Sequence, residues 1–245
     1  MIGRIAAARL RVLGRAGPGL PWRLQWRAVC ASTESELERW LLAGADAPLA
    51  VLAGHQRFGH GQQGRPWQAP SGGVWISAAL PWPPQVDGTA ALGLAVAVGL
   101  ALQLEALGLE PRLKWPNDLL VQGAKVAGLL PRLRRRGERI RWAQVGLGLN
   151  GHNPVPPGGL ALARALGRRR LDTAALSARA LLALEWAAAH ALAPERVRRE
   201  AEGRLLLPEA PVPFEGELWR ATGLASDGAL ELALGPRRAQ LRRCF

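Results

Sequence analysis

The chain has 245 residues, 49% of them hydrophobic, which suffices for one medium domain with a real core and a small appendage. Its formal net charge of +13 rests on arginines scattered through every segment in short groups (Arg134 to Arg136, Arg168 to Arg170, Arg237 and Arg238 with Arg242 and Arg243). That spread reads as solvated faces rather than a nucleic-acid surface, and no specific DNA binding is expected. Two cysteines, Cys30 and Cys244, exclude a disulfide framework or a cysteine metal cluster and read as reduced thiols of a cytoplasmic protein.

Residues 1–25 form a basic extension expected to be disordered or loosely packed, since the first 33 residues carry six Arg and no acid. No secretory core with a cleavage site is found there. Residues 26–30 read as a strand. A capping box at Thr33 and Glu36 then opens a helix with Leu37, Trp40 and Leu41 on one face. Strands are expected at 49–53 and 74–80, joined by a loop rich in Gly, Gln and Arg.

The uncharged run 88–104 is too short to cross a bilayer: as a helix it rises only ~26 Å against a ~30 Å hydrocarbon core. It reads as a buried helix over 89–107, with Gly93 and Gly99 allowing close packing and Gly108 as its stop. Residues 112–115 resume as a strand broken by Pro116. Strands 119–122 and 125–130 flank Gly123-Ala124 as a hairpin, and 140–147 is a further strand.

Beyond Asn150 a Pro- and Gly-rich loop leads to helices at 172–192, with Leu181, Leu184 and Trp186 facing inward, and at 194–206. From Pro211 short strands alternate with turns such as Ser226-Asp227-Gly228. The expected domains are the extension (1–25), a main domain (26–206) and a small β module (207–245). No internal repeat is visible.

Gly59-His60-Gly61-Gln62-Gln63-Gly64 matches the dinucleotide fingerprint G-x-G-x-x-G and follows a strand, with Asp87 at a distance suited to a ribose carboxylate. The fingerprint needs a helix to start at the glycines, so that a pyrophosphate meets its N-terminus. Pro66, Pro70, Gly72 and Gly73 forbid that helix. What remains is a glycine-rich flap carrying His60, Gln62, Gln63 and Arg65 and closed by Trp67, able to bring backbone N–H groups close to an anion.

Only Lys114 and Lys125 are lysine among the 32 basic residues, and both lie in KWPNDLLVQGAK. Against an arginine background, two compact ammonium groups mark places where a planar guanidinium will not serve. Lys114-Trp115-Pro116-Asn117-Asp118 sets a cation, an amide and a carboxylate at a strand end, Lys125 brings a second ammonium across the hairpin, and Gly128 leaves space for a ligand. Two cations near one carboxylate suit acyl-phosphate or acyl-adenylate chemistry, with Asp118 reaching a phosphate-bound Mg²⁺. An ordinary salt-bridged hairpin is the plainer reading of the same residues.

Ser32-Thr33, Gln56, GHGQQGRPW, KWPNDLLVQGAKVAGLL and VGLGLN stand in the order and spacing of the biotin protein ligases, so the chain resembles that family over about residues 27–150. The likeness is to its short members, which carry no DNA-binding helix-turn-helix. The resemblance implies an α+β fold: a mixed central sheet flanked by helices, as in class II synthetase-like biotin ligase catalytic domains, with a small SH3-like β domain at the C-terminus.

It also implies ATP-dependent activation of biotin to biotinyl-5′-AMP, with Mg²⁺, and transfer to a lysine of the biotin carboxyl carrier protein of acetyl-CoA carboxylase. By the same resemblance, Lys125, Lys114 and Arg65 act in catalysis. Ser32, Thr33, Gln56, Gly59, His60, Gly61, Lys125, Gly128 and Leu130 bind biotin. Gln62, Gln63, Gly64, Trp67, Lys114, Asn117, Asp118 and Asn150 bind the nucleotide, and Asp118 the metal.

Three departures stand out: His60 and Gln62 replace two arginines of the usual flap, Arg132 stands where a Glu is common, and Ala31 where an Asp usually precedes Ser-Thr. A lipoate ligase of the same fold and a nucleic-acid-binding protein on a degenerate scaffold are the alternatives. Edge strands could pair in a homodimer or receive the carrier domain.

Overall fold

A computed structural model describes residues 1–14, 19–86 and 88–242, so Asp87, Arg243 and Cys244 lie outside the described residues. In chain order the elements are α1 (Ile2–Leu13), β1 (Arg23–Cys30), α2 (Thr33–Leu42), β2 (Leu49–His60), a 3₁₀ turn (Gln62–Gly64), β3 (Pro66–Ala69), β4 (Val74–Leu80) and α3 (Thr89–Glu105). There follow β5 (Arg112–Lys114), β6 (Asp118–Val121), β7 (Ala124–Arg136), β8 (Arg139–Leu149), α4 (Leu162–Ala165), α5 (Thr173–Ala189), α6 (Pro194–Glu202) and β9 (Leu205–Leu206). The C-terminal part adds β10 (Val212–Phe214), β11 (Glu217–Leu224), β12 (Leu230–Leu234) and β13 (Arg237–Leu241).

Nine strands make one mixed sheet in the order β1-β2-β4-β8-β7-β6-β5-β9, with β3 paired to β2. The β1–β2 and β5–β9 pairs are parallel and the others antiparallel. Strand side chains alternate between faces, and β2 uses both. Ala50 and Leu52 join the large core with α3 and α5, while Leu49 and Val51 meet Leu37 and Leu41 of α2 in a second, smaller core. A strand buried on both faces reads as an unbroken apolar run, which is why 49–53 is visible as a strand.

The expected buried helix is α3, and its glycines permit two close approaches. A Cβ at Gly93 would stand 3.0 Å from Pro131 on β7, and one at Gly99 only 2.4 Å from the Ala183 carbonyl on α5. Gly108, at φ 82°, follows the helix end as expected. Among the described residues no helix is long and apolar enough to cross a membrane.

The N-terminal expectation is corrected. Residues 2–13 are not loose but form α1, which buries Ile5 and Ala8, one turn apart, with Ile5 joining the large core. Arg9 is paired through Nε with Glu185 of α5 at 2.6 Å, and the same carboxylate oxygen accepts from the Trp22 indole at 2.7 Å.

Other boundaries shift for local reasons. The cap of α2 is Ser32, whose hydroxyl accepts from the Glu34 N–H, rather than Thr33; Glu36 instead pairs with Arg27 and Arg39. The hairpin turn is Gln122-Gly123 rather than Gly123-Ala124, both with positive φ (52° and 76°) as a two-residue turn of the tightest type requires. The helix expected over 194–206 stops at Glu202, because Leu205 and Leu206 pair with Leu113 and Lys114 at the sheet edge. Of the inward residues of α5, Leu181 and Leu184 are fully buried, while Trp186 is half-buried and stacks on His190 at 4.0 Å.

The C-terminal strands form a separate four-stranded antiparallel sheet in the order β10-β11-β12-β13. Trp219, Ala221, Leu230 and Leu232 are buried on it. Its Ser226-Asp227-Gly228 turn touches the main domain, where Trp115 donates its indole N–H to the Gly228 carbonyl at 3.0 Å.

Candidate active site

The segment read as a glycine-rich loop is largely strand. β2 continues to His60, the chain reverses through the 3₁₀ turn, and β3 returns antiparallel beside it, pairing Gly59 with Trp67 and His60 with Pro66. At the tip the Gly61 N–H donates to the Arg65 carbonyl at 2.7 Å, and Gln63 takes φ 56°. No α-helix follows the glycines, in keeping with exclusion of a dinucleotide fold.

Beneath this flap lies a cavity of about 740 Å³. It is lined by Ser32, Thr33, Gln56, His60, Gly61, Gln62, Arg65, Trp67, Lys114, Asn117, Asp118, Lys125, Gly128, Leu130 and Asn150, all singled out by the sequence. Gly59, Gln63 and Gly64 do not line it. Gly59 serves the flap itself, since a Cβ there would meet the Trp67 carbonyl at 2.5 Å. The Gln63 side chain accepts from Arg65 at 2.7 Å and braces the tip.

Three short polar elements converge on one wall. Gln56 on β2 accepts at Oε1 from both the Thr33 N–H (2.7 Å) and the Thr33 hydroxyl (3.0 Å), and that hydroxyl also shares a hydrogen bond of 2.8 Å with Ser77 on β4. Beside them stand Ile76, Leu129, Leu130 and Leu147. A mostly apolar pocket with a few converging hydroxyl and amide groups suits a compact ring that carries polar atoms on one edge.

The charged residues gather on β5, β6 and β7. Lys114 and Asp118 are cross-strand partners, as are Asp118 and Gly128, and Lys125 places Nζ 2.6 Å from Asp118 Oδ1. The same ammonium lies 5.0 Å over the Trp67 ring. Its backbone is tied down as well: its N–H donates to Gly158, its carbonyl accepts from Leu160, and the Asn150 amide donates to that carbonyl at 3.3 Å. Asn117 locks β7 by exchanging hydrogen bonds with Leu129 through its side-chain amide (2.8 Å) and its backbone carbonyl (2.9 Å).

Trp67 lies across Gly128 and Gly148, which face each other on β7 and β8. A Cβ would come to 2.6 Å of the indole at Gly148, so that glycine is required for this close seating, while at Gly128 it would stand 3.0 Å away, in tight contact with the ring. The Trp67 indole N–H and the Gln62 amide nitrogen are buried without a hydrogen-bond partner among the described residues, two donors suited to ligand acceptors.

Among the described residues no three His, Cys, Asp or Glu gather as a metal group. Asp118, the carboxylate paired with Lys125 in this cavity, fits Mg²⁺ only as an ion that arrives on phosphates, which is its usual manner of binding. Cys30 is a free, buried thiol at the end of β1, and burial first, then the nearby Glu36 charge, raises its pKa.

The sequence reading missed Ser77, Glu34, Gln68 and the 156–159 segment, all of which line the cavity. Ser77 had a usable signal, being the one polar residue in the apolar strand VWISAAL. The Pro156-Pro157-Gly158-Gly159 loop had none, because its place is set by pairing with Lys125 far from it in sequence.

A family model described as the biotin/lipoate A/B protein ligase family matches residues 27–150, just over half of the chain. The chain is 31% identical over 152 residues to the bifunctional ligase/repressor BirA of Bacillus subtilis (60% of this chain, 46% of that protein). It is 37% identical over 125 residues to the biotin–[acetyl-CoA-carboxylase] ligase of Paracoccus denitrificans (49% and 50%). The chain thus spans about half the length of these curated relatives. In fold it resembles the biotin protein ligase from Aquifex aeolicus solved with biotin and ATP, at a TM-score of 0.73 and 22% identity over 90% of this chain and 96% of that one.

Proposed function

The chain belongs to the biotin/lipoate A/B protein ligase family, and we propose that within it this protein joins biotin to a carrier protein at the expense of ATP. In the first step a biotin carboxylate oxygen attacks the α-phosphorus, the bond to the β-phosphate breaks, and biotinyl-5′-AMP forms as pyrophosphate leaves. In the second, a carrier lysine amine attacks the acyl carbon, AMP departs, and the amine gives up a proton.

The observation that carries this reading is the Lys125 ammonium, fixed between Asp118 and the Trp67 face in the same cavity as the Ser32, Thr33, Gln56 and Ser77 group. Biotin's ureido ring would meet those hydroxyl and amide groups, and its carboxylate would meet Lys125. As an attacking oxygen approaches phosphorus, negative charge collects on the phosphate oxygens, and a cation placed there beforehand stabilises that state more than the ground state. Lys114 and Arg65 add charge to the same cavity, with Asn117, Asp118, Trp67 and Asn150 toward the nucleotide. Mg²⁺ carried on the triphosphate and reached by Asp118 would neutralise the leaving pyrophosphate.

The acceptor in this proposal is the biotin carboxyl carrier protein of acetyl-CoA carboxylase, met in the cytoplasm. The catalytic unit runs through residue 206 and includes β1 with the α1 helix packed on its domain, followed by the β module, and in the same proposal a sheet edge either pairs in a homodimer or receives the carrier domain. Biotin-dependent exchange of label between pyrophosphate and ATP, with Mg²⁺ present, tests the first step, and absence of exchange removes the assignment. Because the family includes lipoate ligases, lipoate is added as competitor: biotin ligase activity requires that lipoate neither supports exchange nor displaces biotin.

A further inference from the structure

Helix α2 carries Ser32 and Thr33 at its start, yet its apolar anchors, Leu37 and Leu41, lie further along and belong to the second core. Its first turn is held by charge instead. Glu34, which lines the cavity, is paired with Arg132 of β7 and accepts at the same oxygen from the Gln144 amide of β8 at 3.3 Å. Glu38, one turn later, is paired with Arg134, whose Nε also donates to Gln144 at 2.8 Å.

The spacing matches on both sides. Residues two apart on a strand face repeat every ~6.7 Å, and residues four apart on a helix every ~6 Å. Arg132 and Arg134 therefore present two cations in step with Glu34 and Glu38. Gln144, the cross-strand partner of Arg132 and only 3% exposed, joins the two rungs.

We propose that the Glu34–Arg132 pair is a positioning element for the ring-binding wall, setting affinity for biotin through Ser32 and Thr33 without touching the reacting atoms. The inference rests on the biotin-ligase reading above. Glu34 carries its charge in the first helical turn, where the helix dipole favours an anion. The pair thus fixes the helix start both along its axis and against the sheet, and the Thr33–Gln56–Ser77 hydrogen bonds depend on that placement.

The test compares wild type with Arg132→Glu and with Arg132→Glu combined with Glu34→Gln, which replaces repulsion by an amide–carboxylate hydrogen bond. Two readouts are taken: biotin KM and kcat in the exchange assay, and hydrogen exchange of the backbone over residues 31–37. Arg132→Glu is expected to raise biotin KM about tenfold with kcat within about twofold, a size usual for coupling within one ion-pair network. Exchange over 31–37 should quicken, and the double variant should return both readouts to within about threefold of wild type.

Unchanged biotin KM and unchanged hydrogen exchange in Arg132→Glu, a fall in kcat with KM unmoved, or no recovery in the double variant would each overturn the proposal. If Arg132→Glu does not fold, Arg132→Met removes the cation without adding repulsion and is judged by the same two readouts. If wild type shows no exchange activity at all, the ligase reading falls, and hydrogen exchange alone then decides whether the pair positions the wall.

Discussion

Replacing Lys125 by Ala removes the one ammonium that the structure clamps inside the cavity, between the Asp118 carboxylate at 2.6 Å and the Trp67 ring at 5.0 Å. A unit charge about 4 Å from a developing phosphate charge is worth about 4 kcal/mol at an effective dielectric near 20 and about 1 kcal/mol in bulk water. Lys125 is 32% exposed, so the site lies between those limits. Loss of one preorganised contact to a transition-state charge costs about 2.7–4 kcal/mol, and single-turnover formation of biotinyl-AMP should slow by about a hundredfold or more.

The deletion also strands Asp118 beside incoming phosphates, which could slow the reaction for a different reason. Lys125→Ala with Asp118→Asn separates the two, because neutralising the carboxylate relieves repulsion without restoring the cation. The double variant is expected to stay within about tenfold of the single. Lys125→Arg should also be slow, since the Lys125 Cε already lies 3.2 Å from where a Cβ on Gly128 would stand, and a planar guanidinium is wider than an ammonium. Near-normal single-turnover adenylation in Lys125→Ala, or full recovery in the double variant, would refute the role.

Gly148→Ala puts a methyl group 2.6 Å from the Trp67 indole, so the ring must leave its seat, and KM for ATP in the exchange assay should rise about tenfold or more. Gly99→Ala drives a Cβ to 2.4 Å from the Ala183 carbonyl between α3 and α5, and urea denaturation should show a loss of about 1–3 kcal/mol. Burial raises the Cys30 pKa, so its contribution to stability is complete below the ordinary thiol range and is lost as pH climbs through the raised value. Thermal melts taken from neutral to alkaline pH should therefore fall less steeply in Cys30→Ala than in wild type, and parallel curves would count against the shift.

Elements whose partners are close in sequence, or whose faces are uniformly apolar, could be read from the chain directly. The run 49–53, the helix α3 with its two glycines, and the hairpin around Gly123 are of this kind, and the last differs only by a one-residue shift of the turn. The start of the chain was not legible, because six arginines without an acid dominate the composition there, while the partner that anchors α1, Glu185, is supplied from α5. An Ile and an Ala one turn apart are too faint a stripe to announce a packed helix against that background.

The flap shows the same competition at the cavity. Gly59, Gly61 and Gly64 argue for a loop by propensity, yet β2 runs on through Gly59 because β3 supplies the ladder hydrogen bonds and the glycine leaves room for the Trp67 carbonyl. A residue can therefore belong to a ligand motif by its type and also be accounted for by the flap's own construction, as Gly59 is by the Trp67 carbonyl beside it and Gln63 by its side-chain bond to Arg65. Glu34 is the converse case. Its place in the first turn of a helix explains it fully as a local feature, and its link to the cavity becomes visible only when Arg132, 98 residues further on, and Gln144, 110 residues further on, are brought against it.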